Sequence, residues 1–202
     1  MEIHECPQCG AAAEPSNRKC SYCKVEFFVT SLAYLGNFDS GGISKYLKHY
    51  KELTQRHSMD SEGFLGLGLC YLKMANFQLA SKCFEQVINI SPEISQAYYY
   101  FALANIRRRR LMTLSLNEIR QLETYLNTAI QLNYDVPQYK LLLSMIKRDY
   151  YEINGMRFSE PSADKLLSDL RGLIINESEL NYLRSVVIVG NENQYYTAIK
   201  CV

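Results

Sequence analysis

The sequence predicts a mainly α-helical fold: an array of helical hairpins with a small cysteine-rich module at the N-terminus and a C-terminal extension. Three observations predict this arrangement. Apolar residues recur at helical spacings of three and four through the middle of the chain. Two C-x-x-C pairs stand near the N-terminus. Valine, isoleucine and tyrosine, which favour strands, are frequent after residue 184.

The N-terminal cysteines form two C-x-x-C pairs separated by ten residues: Cys6, Cys9, Cys20 and Cys23. Two such turns can direct four thiolates at one ion, which is the ligand set of a tetrahedral Zn²⁺ site. The segment has too few apolar residues for a core of its own, so a metal would hold it together. A disulfide pair, a redox C-x-x-C and an iron site remain as alternatives, and we favour structural zinc. Four protein ligands leave no position for water, so we expect no catalysis at the metal.

This stretch resembles a zinc ribbon over roughly residues 4–27. Gly10 after the second thiol suits the turn that such a site needs, because glycine readily adopts positive φ. The second turn has Lys24 at the equivalent position, which is less typical of the family.

The stretch from Ser61 to Ile94 predicts two antiparallel helices joined by a tight turn at Ala75-Asn76. Gly68 and Ala80 are small enough for the helix backbones to approach each other closely. This hairpin resembles a tetratricopeptide repeat, a helix-turn-helix unit of about 34 residues. Seven positions fit the pattern of that repeat: Phe64, Leu67, Gly68, Tyr71, Ala80, Phe84 and Pro92.

Neighbouring segments repeat the pattern less completely. A second unit begins at Ser95 and gains residues around Arg107 to Leu114, and a third first-helix runs from Pro137 to about Tyr151. A degenerate half-unit spans 28–58. We expect about three units, the number needed to bury a continuous core.

The C-terminal extension predicts a helix over 159–176 and another over 177–183. Two interpretations remain for the end of the chain. One is a β-hairpin of Ser185–Val189 and Tyr195–Val202, which we favour because β-branched residues and tyrosines are typical of strands. The other is a truncated helical hairpin. The predicted domains are therefore 1–27, 28–155 and 156–202.

Composition excludes several classes. Hydrophobic residues make up 48% and charged residues 21% of the chain, unlike a disordered protein. A net charge of +1 gives no overall field toward nucleic acid or an anionic membrane. We find no membrane-spanning apolar run, no secretion signal and no catalytic motif, and we therefore expect a non-catalytic cytoplasmic protein with no membrane association.

The resemblance to tetratricopeptide repeats also implies a binding face, because first helices line a concave groove in that family. The groove positions here are mainly apolar, which suits an amphipathic helix of a partner protein: Leu65, Leu69, Leu72, Tyr99, Leu103 and Ile106. A basic run adjoins them: Arg107, Arg108, Arg109 and Arg110. Filling of the groove by the chain's own C-terminal helices remains an alternative.

The sequence thus predicts an intracellular adaptor or scaffold that binds a partner protein through the helical array and carries a structural zinc ribbon. The alternative is a nucleic-acid-associated regulator. Its phosphate contacts would come from Arg18, Lys19 and Lys24 beside the zinc and from the basic run Arg107–Arg110.

Overall fold

The computed structural model describes residues 5–14, 17–190, 195 and 200–201, and the chain divides into two compact units, Met1–Ser91 and Pro92–Val202. Nine α-helices lie in this described part, which confirms the mainly α fold class. None of the described helices combines the length and the apolar character that a membrane crossing requires. The three predicted domain ranges stay predictions.

The first unit contains the cysteine segment and four helices: α1 Leu32–Leu35, α2 Ser40–Arg56, α3 Ser61–Lys73 and α4 Phe77–Ile90. Side-chain caps determine where helices α2 and α4 begin. Asp39 accepts a hydrogen bond from the Gly42 N–H at the start of α2, and Asn76 accepts one from Leu79 at the start of α4. Helix α3 packs against both α2 and α4.

The α3–α4 hairpin depends on the absence of a side chain at Gly68. A Cβ atom at this position would lie 2.6 Å from Cε1 of Phe84, a residue that is fully buried on α4. Ala75 adopts a left-handed φ of 57° in the turn between the helices. The hairpin predicted from the spacing of Gly68, Ala80 and Phe84 is therefore confirmed.

The second unit begins with helix α5 Ser95–Ile106, followed by a 3₁₀ turn and four further α-helices: α6 Leu116–Leu132, α7 Pro137–Ile146, α8 Ala163–Asp169 and α9 Glu177–Val186. Helix α7 runs directly into a π-helical turn, Lys147–Glu152. A short parallel pair joins β1 Ile174–Ile175 to β2 Lys200–Cys201.

The π-helical turn carries charged side chains into the interior. Lys147 is 1% exposed, and its Nζ lies 2.5 Å from Oε1 of Glu123 and donates to the Ser159 carbonyl at 2.9 Å. The buried Asp149 carboxylate accepts hydrogen bonds from the Gly190 N–H and the Tyr195 hydroxyl. These contacts hold the end of the chain against the helices of the second unit.

Two predictions for the C-terminal extension are wrong: one in the length of a helix, the other in the type of element. The helix expected over 159–176 is present only as α8. It begins after Ser162, whose side chain accepts a hydrogen bond from the Lys165 N–H, and beyond its end the chain turns at Gly172 with a φ of 86°. The strand expected at Ser185–Val189 is not formed: Ser185 and Val186 end helix α9, which Asn176 caps.

The predicted β-hairpin is therefore corrected. Lys200–Cys201 pairs in parallel with Ile174–Ile175 instead of with Ser185–Val189, and Ile188 forms an isolated bridge with Arg110. Residues 196–199 and 202 of the second expected strand lie outside the described residues. Burial of Val186 in helix α9 outweighs the strand preference of the valine run.

The contact at Gly68 gives the first testable prediction. Gly68→Ala should lower the free energy of unfolding by about 1–3 kcal/mol, because the new methyl group overlaps the Phe84 ring. Urea unfolding followed by circular dichroism measures this change.

The matched control is Gly41→Ala in helix α2, where the nearest atom to an added Cβ is Asp39 Oδ1 at 3.5 Å. This variant should be as stable as the parent or more stable by up to about 1 kcal/mol, since alanine restricts the unfolded chain. Equal stability of the two variants would contradict the close packing at Gly68.

Candidate metal centre

The N-terminal cysteines lie on two turns with the same hydrogen-bond pattern. Cys6 N–H donates to the Ala11 carbonyl at 2.8 Å, and Cys20 N–H donates to the Val25 carbonyl at 2.9 Å. Antiparallel bridges Glu5↔Ala12 and Lys19↔Glu26 close the two turns. The two halves of the segment therefore present their cysteine pairs in equivalent ways.

The position after each C-x-x-C pair has a left-handed backbone. Gly10 has a φ of 73° and Lys24 a φ of 63°, and each N–H donates to the carbonyl of the first cysteine of its turn. Lys24 thus adopts the conformation that glycine favours, at a cost of about 1–2 kcal/mol. Its Nζ donates to the Ser21 carbonyl at 2.7 Å and holds this turn closed.

The four sulfur atoms converge on one point. All four lie within 4.8 Å of one another, with Cys6 and Cys23 Sγ 3.5 Å apart and Cys9 and Cys20 Sγ 3.7 Å apart. Four thiolates around a tetrahedral zinc ion, with Zn–S bonds of about 2.3 Å, lie about 3.8 Å from each other. The thiols are free, which excludes the disulfide alternative. The cluster can therefore hold a metal ion such as zinc.

The environment of the thiols differs from one cysteine to the next. Burial raises the pKa of Cys6 to about 12, and burial also raises the pKa of Cys23. The backbone N–H of Cys23 instead lowers the pKa of Cys20 to about 6. A bound cation would supply the positive charge that stabilises all four thiolates, two of which, Cys6 and Cys20, are buried.

A pair of buried tyrosines on helix α2 attaches the cysteine segment to the rest of the unit. The Tyr46 hydroxyl donates to the Glu26 carbonyl at 2.6 Å, and the Tyr50 hydroxyl donates to the Phe27 carbonyl at 3.0 Å. The Tyr50 hydroxyl also accepts a hydrogen bond from the Val29 N–H at 2.7 Å. Both tyrosines are 0% exposed.

The first cysteine turn makes its own contact with the same helix. Gln8 Nε2 donates to the Gly42 carbonyl at 2.8 Å, and Lys45 Nζ donates to the Gln8 carbonyl at 2.9 Å. The small core beneath the metal cluster contains Cys6, Cys20 and Phe27. Helix α2 therefore carries the cysteine segment as a docked part of the first unit.

No family model matches the chain. The functional assignment rests on the geometry of the molecule itself.

The apolar residues expected to bind a partner do not form an exposed surface. Each of the six is at most 5% exposed: Leu65, Leu69, Leu72, Tyr99, Leu103 and Ile106. In the second unit, helix α9 packs against α5, where Glu179 accepts a hydrogen bond from Tyr100 at 3.3 Å. This contact agrees with the alternative that the chain fills its own groove, and partner binding by the six residues stays a prediction.

The four consecutive arginines occupy the turn after helix α5. Arg107 and Arg108 both have left-handed φ angles, 55° and 58°, and both are exposed, as is Arg110. Arg109 is half-buried and binds back to the fold: its guanidinium donates to Glu118 Oε1 at 2.7 Å and to the Asn105 carbonyl at 3.0 Å. Arg109 therefore helps to fix the turn, and the other three arginines are exposed at the surface.

Sequence reasoning missed the contribution of Tyr46 and Tyr50 to the metal segment. Their four-residue spacing predicts only that both lie on one face of a helix. The partners of their hydroxyl groups lie about 20 residues earlier in the chain, so local spacing does not indicate them. The excess of tyrosine, 16 residues against no tryptophan, was the only available signal.

The cysteine cluster gives the second prediction. Cys9→Ser should abolish stoichiometric metal binding, because three thiolates remain for a four-coordinate ion. Elemental analysis of protein purified without chelator should find about one zinc per chain in the parent and little in the variant. Cys83→Ala is the control, since this buried thiol lies on helix α4 and should leave the zinc content unchanged. A metal-free parent would contradict the assignment.

The tyrosine contact gives the third prediction. Tyr50→Phe should destabilise the zinc-loaded chain by about 1–3 kcal/mol, because the Val29 N–H and the Phe27 carbonyl lose a buried partner. Denaturant unfolding at fixed zinc concentration measures the loss.

Tyr71→Phe serves as the control for the hydroxyl group. It retains the ring that lies 5.6 Å from Lys51 Nζ, and its stability should change by no more than about 0.5 kcal/mol. A parent-like Tyr50→Phe variant would mean that the tyrosine hydroxyl does not hold the cysteine segment in place.

Proposed function

We propose that this protein is a non-catalytic adaptor that carries a structural zinc ribbon and holds an acidic segment of a partner protein. The observation that carries the proposal is the arginine turn after helix α5, which displays Arg107, Arg108 and Arg110 from a fixed backbone. Arginine is suited to this task because its guanidinium binds carboxylates through paired hydrogen bonds.

The turn is organised before any partner binds. Arg109 donates through Nε to the Ile106 carbonyl and through its terminal nitrogens to Asn105 and Glu118. Glu118 in turn completes a capping box with Ser115 at the start of helix α6. Because these contacts fix the backbone of the turn, little conformational freedom is lost when an acidic segment binds.

The non-catalytic part of the proposal is supported by the ligand set of the metal centre. Four cysteine sulfurs fill a tetrahedral shell, whereas catalytic zinc sites keep one position for water or substrate. The free thiols suit a reducing compartment, so we place the adaptor in the cytoplasm.

The nucleic-acid alternative is weakened by what the basic residues of the cysteine segment contact. Arg18 lies 2.9 Å from Glu62, Lys19 lies 3.2 Å from Glu26, and Lys24 donates to a carbonyl of its own turn. Phosphate binding by Arg18 and Lys19 would compete with these ion pairs, and Lys24 already donates one of its three protons within its own turn. The arginine turn alone supplies few phosphate contacts, so nucleic-acid affinity should be low and sensitive to salt.

The fourth prediction tests the arginine turn. Arg107→Glu combined with Arg108→Glu should reduce recovery of the partner by at least about tenfold, because like charges now face its acidic segment. The measurement is affinity capture from the native cell with quantitative mass spectrometry, with and without nuclease.

The control variant carries the same charge change elsewhere: Lys82→Glu with Arg171→Glu, two exposed positions. It should capture the partner as the parent does, and both variants should retain parental zinc content and helicity. If the variant with Arg107→Glu and Arg108→Glu still captures the partner, the partner surface lies elsewhere. Loss of all captured proteins on nuclease treatment would support the nucleic-acid alternative.

A further inference from the structure

A cleft of about 500 Å³ lies between the first cysteine turn and helix α2, within the first unit. Its volume falls in the range of about 300–1,000 Å³ that is typical of small-molecule sites. The cysteine turn contributes Gln8 and Glu5 to the wall, and α2 contributes a line of polar side chains. The docking of the cysteine segment on α2 therefore creates an open cleft that both parts line.

Positive charge is concentrated where the two parts meet. Lys45 and Lys48 lie one turn apart on the same face of α2, and both line the cleft. Lys45 Nζ donates one hydrogen bond to the Gln8 carbonyl, which fixes its position and leaves two of its three protons for another acceptor. A ligand at this end of the cleft must therefore be an anion with several acceptor atoms.

Farther along α2, the lining changes character. Glu52 and Arg56 follow Lys48 at successive turns, and Glu5 lines the cleft from the cysteine turn. Carboxylates accept hydrogen bonds and repel anions, so they suit hydroxyl groups of a ligand rather than a second negative charge. The cleft thus pairs a cationic end at Lys45 and Lys48 with an end where Glu52 accepts hydrogen bonds and Arg56 donates them, which suits hydroxyl groups.

His49 adds a neutral polar ring to the wall of the cleft. This side chain lines the cleft, and its Nε2 atom is buried with no hydrogen-bond partner among the residues that the structure describes. Burial also lowers the pKa of His49, which favours the neutral ring.

We propose that this cleft binds a small phosphate ester of a polyol, with the phosphate at Lys45 and Lys48 and the hydroxyl groups toward Glu52. A phosphate monoester carries a charge of about −1.5 to −2 near neutral pH and presents three acceptor oxygens. Its charge therefore offsets the charges of the two lysines more fully than the single charge of a carboxylate does. The site goes beyond the proposed adaptor function, because it lies in the first unit and does not involve the arginine turn.

The experiment is an NMR titration of the zinc-loaded full chain with glycerol 3-phosphate, followed by the amide signals of Gln8, Lys48 and His49. These signals should shift saturably, while the amide signal of Lys82 on helix α4, outside the cleft, should not respond. Inorganic phosphate should bind several-fold more weakly, because it leaves the end at Glu52 and Arg56 unfilled. Lys48→Ala should weaken binding of glycerol 3-phosphate by about tenfold.

Lys82→Ala provides the matched control, since Lys82 is also an exposed helical lysine of the first unit but lies outside the cleft. It should bind as the parent does. Absence of saturable shifts, or equal weakening by Lys48→Ala and Lys82→Ala, would overturn the site. Equal affinity for inorganic phosphate and glycerol 3-phosphate would overturn the assignment of the polyol part.

Discussion

The first unit depends on the position of one side chain, Tyr50. Its ring packs where a Cβ atom of Gly66 would lie, so the side chain fits only against a glycine of helix α3. Its hydroxyl reaches the opposite way and bonds to the backbone of Phe27 and Val29. One residue thus connects the cysteine segment, helix α2 and helix α3. The metal cluster and the cleft beside it both take their place in the unit from this connection.

The sequence allowed the helical hairpin and the four sulfur ligands to be predicted because both depend on short-range spacing. A close helix crossing is indicated by the spacing of Gly68, Ala80 and Phe84, and a common ligand centre is indicated by the paired C-x-x-C turns. The C-terminal extension could not be predicted in the same way. The pairing of Ile175 with Cys201 joins residues far apart in the chain, and no local preference encodes it.

The surfaces of the molecule were harder to predict than its core. Apolar residues such as Leu69 and Leu103 have the same periodicity whether they face a partner or the interior, and here they are buried. The charged turn was visible as four arginines in a row, but the sequence did not show that Arg109 alone turns inward to Glu118. The division of the arginines is a property of the left-handed backbone at Arg107 and Arg108.

The buried carboxylate of Asp149 has a consequence for the order in which the chain acquires its structure during synthesis. Its partners, the Gly190 N–H and the Tyr195 hydroxyl, lie about 40 residues later. A nascent chain that has not yet released these residues from the ribosome leaves the carboxylate without them, which disfavours its burial. The contacts that dock the cysteine segment, such as Gln8 with Gly42 and Arg18 with Glu62, join residues that all lie within the unit Met1–Ser91. Translation therefore favours a sequence of events in which the metal-binding unit folds first and the second unit closes only after Gly190 and Tyr195 have emerged.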